Sequence, residues 1–179
     1  MVKALKALLL TGLLALLLGL TLPQPAQANP TFQANPMFLA ALPGFKTLFS
    51  GQRPGTLGVS EGHLAACPAS PNCVVSQGAD TDHSIAPLTF TGDATAAMAT
   101  LATVVADQPR SELIQQTDEY LYFEFTSRLM GFVDDVEFYL DPAAEVIQMR
   151  AAARLGESDL GVNRDRLEAI RTAFAAAQT

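Results

Sequence analysis

The sequence predicts an α+β fold: an antiparallel β-sheet of about five strands with two helices packed on one face. Three observations carry this. Two stretches place apolar residues at helical spacing, four consecutive runs alternate apolar and polar residues, and short turns such as Asp141-Pro142 separate those runs. In chain order, residues 84–90 read as a short strand, and Gly92-Asp93 then opens a helix with Asp93 as N-cap. Met98, Leu101, Ala102 and Val105 form the buried face of that helix until Pro109 ends it. Strand-like runs follow at 111–117, 119–127, 133–140 and 145–154. A last helix from about Asn163 buries Leu167, Ile170 and Phe174 and exposes Arg164, Glu168 and Arg171.

Alternation sorts the strand residues onto two faces. Leu121, Phe123 and Phe125 belong to the core side, with Phe132, Val136, Phe138 and Leu140, and with Ile147, Met149, Ala151, Ala153 and Leu155. The opposite side receives Tyr120, Tyr122, Glu124, Thr126 and Arg128, then Val133, Asp135, Glu137 and Tyr139, then Gln148, Arg150, Ala152 and Arg154. That face is therefore lined with tyrosines, carboxylates and arginines. Asp134 falls on the core side by parity, either as a buried carboxylate or because the strand starts after it.

The amino-terminal region reads as a leader and an arm. Lys3 and Lys6 precede an apolar run from Leu8 to Leu20, followed by Pro23 and Ala26-Gln27-Ala28, the three parts of an export signal cleaved after Ala28. The run ends at Thr21 and Pro23, short of a membrane anchor, so no stable membrane span is expected once residues 1–28 are removed. Residues 29–62 form a Pro/Gly-rich arm that packs through Phe38, Leu39, Leu42, Phe45 and Phe49 or serves as a disordered spacer. Residues 63–179 are read as one α+β domain. The mature chain keeps 9 Lys plus Arg against 18 Asp plus Glu, a net charge of −9, which argues against nucleic acid and anionic lipid surfaces as partners. Lys46 is its only lysine, and arginine's rigid fork suits fixed pairing with carboxylates or with an anionic ligand.

Cys67-Pro-Ala-Ser-Pro-Asn-Cys73 sets two cysteines around a proline-stiffened loop, which in an exported protein reads as one disulfide. With His63 and His83 on either side, the competing reading is a four-ligand zinc site of His63, Cys67, Cys73 and His83. No other metal or cofactor is expected. Arg150 and Arg154, two apart on one strand face, either pair with acids across the sheet or hold an anionic ligand near the last helix. Locally, Asn163 would cap that helix and Asp159 would hold Arg154 or Arg164.

Three segments, Cys-Pro-Ala-Ser-Pro-Asn-Cys-Val-Val-Ser-Gln from Cys67, Gly-Phe-Val-Asp-Asp-Val-Glu-Phe from Gly131 and Arg-Leu-Gly-Glu-Ser-Asp-Leu-Gly-Val-Asn-Arg from Arg154, resemble the domain-of-unknown-function 1499 family. The resemblance runs from about Leu48 to Phe174. It implies an origin in bacteria or photosynthetic lineages, and it places Cys67, Cys73, Asp134, Asp135, Arg150, Arg154, Asp159, Asn163 and Arg164 at the family's motif positions. The family's Arg-Ser-Ala-Ser-Arg stretch stands here as Arg150-Ala-Ala-Ala-Arg154, without its hydroxyls.

The expected function is that of a non-catalytic binding or assembly factor in the periplasm or thylakoid lumen, meeting an unknown protein partner or a small anionic ligand. The alternative is a small hydrolase or isomerase using Asp134 or Asp135 with an arginine clamp. It has no Gly-x-Ser-x-Gly elbow, His-Glu-x-x-His run or phosphate-cradling Gly loop to build on, and His83, beside Asp82, reads as a solvated loop residue. An apolar pocket between sheet and helices would instead make a carrier.

Overall fold

The computed structural model describes residues 46–178. Residues 1–28, read above as an export signal, and the arm residues Phe38, Leu39, Leu42 and Phe45 lie outside them. A 3-10 turn at Lys46–Phe49 leads in, and strand β1 is Cys73–Val75. Helix α1 (Ala94–Ala106), strands β2 (Ser111–Gln116), β3 (Tyr120–Thr126), β4 (Val133–Asp141) and β5 (Val146–Ala153), and helix α2 (Val162–Ala177) follow. The five strands form one antiparallel sheet in the order β1-β5-β4-β3-β2, so β2 to β5 are a meander and β1 closes the far edge. No helix among the described residues is long and apolar enough to cross a membrane.

The fifth strand is not the one expected. Residues 84–90 contribute only isolated bridges, Ser84 beside Val75 and Leu88 beside Ile147. Their buried apolar residues, Ile85 and Leu88, are three apart, which does not match a strand's period of two. β1 instead comes from the end of the cysteine segment, where all three residues are buried.

The helix ends show how local sequence sets the architecture. Asp93 caps α1 as expected, its carboxylate accepting the Ala96 N–H at 2.8 Å. At α2 the cap is not Asn163. Gly161 turns the chain with φ 84°, and Asp159 accepts the N–H groups of Gly161 (3.0 Å) and Asn163 (2.8 Å). Asn163 is inside the first turn and fully buried, with its amide donating to the Asn72 carbonyl at 3.3 Å. Asp159 thus serves backbone donors rather than Arg154 or Arg164.

The core lies between one sheet face and both helices. Leu121, Phe123, Val136, Phe138, Ile147 and Met149 are fully buried against Leu101, Leu167, Ile170 and Phe174. Burial of this kind contributes roughly 1.5–3 kcal/mol for each large side chain. Two members of the expected core set are exposed: Phe132 at 38% and Leu155 at 42%. Both stand just past the strand ends. Parity gives the face of a residue but not whether anything covers it.

The second sheet face is also covered. Residues 51–66 cross it without regular structure, packing Leu57 and Leu64 against Tyr120, Tyr122 and Val75. Gly51 makes the closest approach. With φ +66° and a Cβ position 2.8 Å from the Arg154 Cβ, only glycine fits there.

Candidate functional site

On the covered face, register brings the polar side chains into two joined clusters. Tyr122 stands opposite Glu137, Glu124 opposite Asp135, and Glu137 opposite Arg150. Arg154 reaches back along this face and holds Asp135 with Nε (3.0 Å) and Nη2 (2.6 Å), while also contacting Glu124 and the Tyr122 hydroxyl. Arg53, from the covering segment, donates Nε to Glu124 at 2.8 Å. The Tyr122 hydroxyl lies 2.5 Å from Asp135 and 2.8 Å from Glu124, so its one proton serves two carboxylates. In the neighbouring cluster Glu137, with no exposure at all, accepts from Tyr120 (2.8 Å), the Gly58 N–H (2.7 Å) and Arg150 Nη1 (3.1 Å). The Arg150 Nε meets no protein acceptor.

Three carboxylates and three arginines therefore balance on this face. Burial raises the Tyr122 and Tyr120 hydroxyls well above their ordinary range, reinforced by the adjacent acids, so both stay protonated. For Glu124, burial pushes upward, but the hydrogen bonds from Arg53 and Arg154 outweigh it and hold the carboxyl below its usual value. Burial likewise works against the charge on Arg154, and its bonds to Asp135 and Glu124 raise it regardless.

The remaining motif residues go elsewhere. Asp134 is within β4, opposite Phe125 and Ala153, and half-buried at the open end of the core, which settles its parity in favour of a partly buried carboxylate. Burial raises its carboxyl, against the pull of Arg166, which reaches it from α2 at 2.8 Å and lies 4.6 Å over the Phe125 ring. Arg166 also contacts the Asn163 side chain, and Asn72, held by Gly156 at 2.6 Å, ties the cysteine loop to this end. Arg164 turns away and donates to the carbonyls of Ser84 and Asp82, both at 2.7 Å.

Cys67 and Cys73 are bonded, with sulfurs 2.10 Å apart, so neither offers a thiolate. His63 is exposed beside the Glu61 carbonyl, and the four proposed zinc ligands do not assemble; the described residues contain no group of three or more His, Cys, Asp and Glu able to hold a metal. His83 is not the solvated residue expected. It is 7% exposed, with Nδ1 2.8 Å from Asp80 and Nε2 3.2 Å from the Ser70 carbonyl. Two acceptors favour the imidazolium, and the Asp80 bond first, then Ser70, raise its pKa.

A pocket of about 210 Å³ opens at the end of the sheet where β3 turns into β4 and β5 runs toward α2. Its wall is Phe132, Ala153, Leu155 and Val162, with Asp134 and Ser158 at the rim. An adjoining groove of about 300 Å³ shares Asp134 and Val162 and adds Phe125, Arg110, Arg128 and Arg166. Nine large apolar side chains are exposed among the described residues, and six stand at this end: Leu129, Met130, Phe132, Leu155, Leu160 and Val162. Sequence reasoning did not single out Leu129, Met130, Leu160, Arg53, Arg110 or Arg166. The one available signal was Arg128-Leu129-Met130-Gly131, an apolar pair at a hairpin turn where polar residues are usual.

Fold and sites together define a small α+β domain with one helix-covered core, one internally ion-paired sheet face and one apolar loop end. The chain belongs to the family described as protein of unknown function DUF1499, which matches residues 63–174. Nothing among curated proteins or solved structures matches it.

Proposed function

We propose that this chain is a non-catalytic binding or assembly factor working outside the cytoplasm, in the periplasm or thylakoid lumen, and that its working surface is the loop end around the 210 Å³ pocket. The observation that carries this reading is the gathering of six exposed apolar side chains at that end. The export signal read in residues 1–28 and the Cys67–Cys73 bond support the compartment. On this reading residues 1–28 are removed, residues 29–62 remain as the arm, and residues 63–179 are the domain. Arg150, Arg154, Asp135 and Tyr122 are then a structural network, because their charges are already matched from within the chain.

The alternative of acid–base chemistry on Asp134 or Asp135 with an arginine clamp rests on Asp134 alone, which lines the pocket with a raised pKa. Asp135 is 1% exposed and held by Arg154 and Tyr122.

A photo-crosslinking residue at Leu129, compared with one at the half-buried Thr100 of α1, tests the surface in cells. We expect discrete adducts from position 129 and none from 100. Equal labelling, or none at either position, would refute the loop end as the working surface.

A further inference from the structure

Resting on that reading, we infer that the loop end is the seat of the first part of the chain's own arm, residues 29–45, and that a partner reaches this surface by displacing it. The described residues begin beside the pocket. Phe49 lies against Phe132, with ring centroids 5.6 Å apart. Two residues on, a Cβ at Gly51 would stand 3.1 Å from the Leu155 side chain. Phe132 and Leu155 are both walls of the 210 Å³ pocket, so the covalent chain delivers the residues that precede Lys46 to its edge. Leu48, in the lead-in turn, is 70% exposed and adds to the apolar surface left open there.

Charge and size select this occupant. At the loop end Asp134, Glu157, Asp159 and Asp165 stand against Arg110, Arg128 and Arg166, so neither sign prevails. Arg166 pairs with Asp134, and Asp159 accepts backbone N–H groups, which leaves the pocket wall itself apolar. An uncharged apolar segment complements such a surface better than a strongly charged partner does. Residues 29–45 contain no Asp, Glu, Lys, Arg or His, and include Phe32, Met37, Phe38, Leu39, Leu42 and Phe45. The pocket's 210 Å³ falls below the about 300–1,000 Å³ of sites for small-molecule ligands and suits inserted side chains instead. A short tether gives the arm an effective concentration on the order of millimolar at its seat, which favours it over weaker free competitors.

Leu39 stands ten positions before Phe49, and an extended chain could carry it roughly 33–36 Å from that contact, so the connection alone does not fix its place. In the protein as it accumulates, purified and dilute, a photo-crosslinking residue at Leu39 should form an adduct within one chain. Trypsin should then release the arm peptide joined to residues 129–150 or 155–164. Leu42→Asp with Phe45→Asp should abolish that adduct, keep the melting transition, and raise the partner adducts from position 129 in cells. The inference is overturned by no adduct to these two peptides, by an adduct undiminished in the double variant, or by partner adducts that the double variant leaves unchanged. An adduct formed only between two chains and lost on dilution overturns it too, in favour of a second copy. If the double variant loses its melting transition, Val162→Asp on the exposed pocket wall reads the same contact from the other side, and an undiminished adduct there counts equally against the arm. Partner adducts from Leu129 in cells without any arm adduct would reject the arm and leave the working surface standing. An arm adduct with no partner adduct, even in the double variant, would reject the partner surface while the arm keeps its seat.

Discussion

Beneath residues 51–66, Glu124 is flanked by Arg53 and Arg154 and its carboxyl is held below the usual range, so its ionisation stabilises the fold. At the loop end, Asp134 has one arginine and its carboxyl is raised by burial, so its ionisation costs stability. Around Glu124 each carboxylate has a cation within the chain; around Asp134, Arg110 and Arg128 have no ion-pair partner among the described residues, and apolar side chains face outward. The difference separates two kinds of polar site that look alike in sequence. A cluster whose charges match internally is positioned to hold the fold, and a surface with unpaired cations and uncovered apolar groups is positioned to meet something else.

The largest test of that division is Arg154→Ala. Removing it leaves Asp135, 1% exposed, without its cation, at a cost of about 3–5 kcal/mol. For a domain of this size that lowers the melting temperature by roughly 10–20 °C. Arg154→Ala with Asp135→Ala should recover part of the loss, because the two residues are directly coupled. A single variant that melts normally but loses binding would move the functional site onto this face.

The same division explains what could be read from the sequence. Leu121 and Phe123 against Tyr120 and Tyr122, and Met149 and Ala151 against Arg150, report their faces through a period of two, so the sheet and its polar side were legible. The cover over that side was not, because residues 51–66 have no periodicity and Arg53 finds Glu124 across 71 positions. β1 was missed because a three-residue strand buried throughout shows no alternation. The motif residues were visible, but their grouping was not: Asp134 and Asp135 are neighbours in sequence and serve opposite faces, one facing α2 and the other Arg154.

A smaller effect concerns His83, which joins the cysteine loop to the Asp80 turn. Its pKa is raised in the fold from the ordinary 6.5, so its contribution is complete below pH 6.5 and is lost as pH rises through the raised value. Asp80 is lowered from 3.8, so its share is present above 3.8 and lost as pH falls through the lowered value. Melting temperature should therefore decline modestly on the alkaline side, and His83→Gln should flatten that part of the profile. An unchanged profile in the variant would show that the two ring contacts do not contribute.

Leu160→Gly should have the smallest effect on stability and separates the two regions most directly. Leu160 is 92% exposed, so removing its side chain forfeits almost no burial, and glycine relieves the left-handed φ of 56°. The unfolded chain gains freedom from the glycine, which offsets part of that relief. The net should be neutral to slightly stabilising, within about 1 kcal/mol, with a melting temperature unchanged or a few degrees higher. Crosslinking from position 129 in cells should nevertheless weaken, because an apolar side chain has left the loop end. If Leu160→Gly instead destabilises the protein and leaves the crosslinking from position 129 as before, Leu160 belongs with Arg154 as part of the fold, and the division between the two regions fails at the residue where it is most exposed to test.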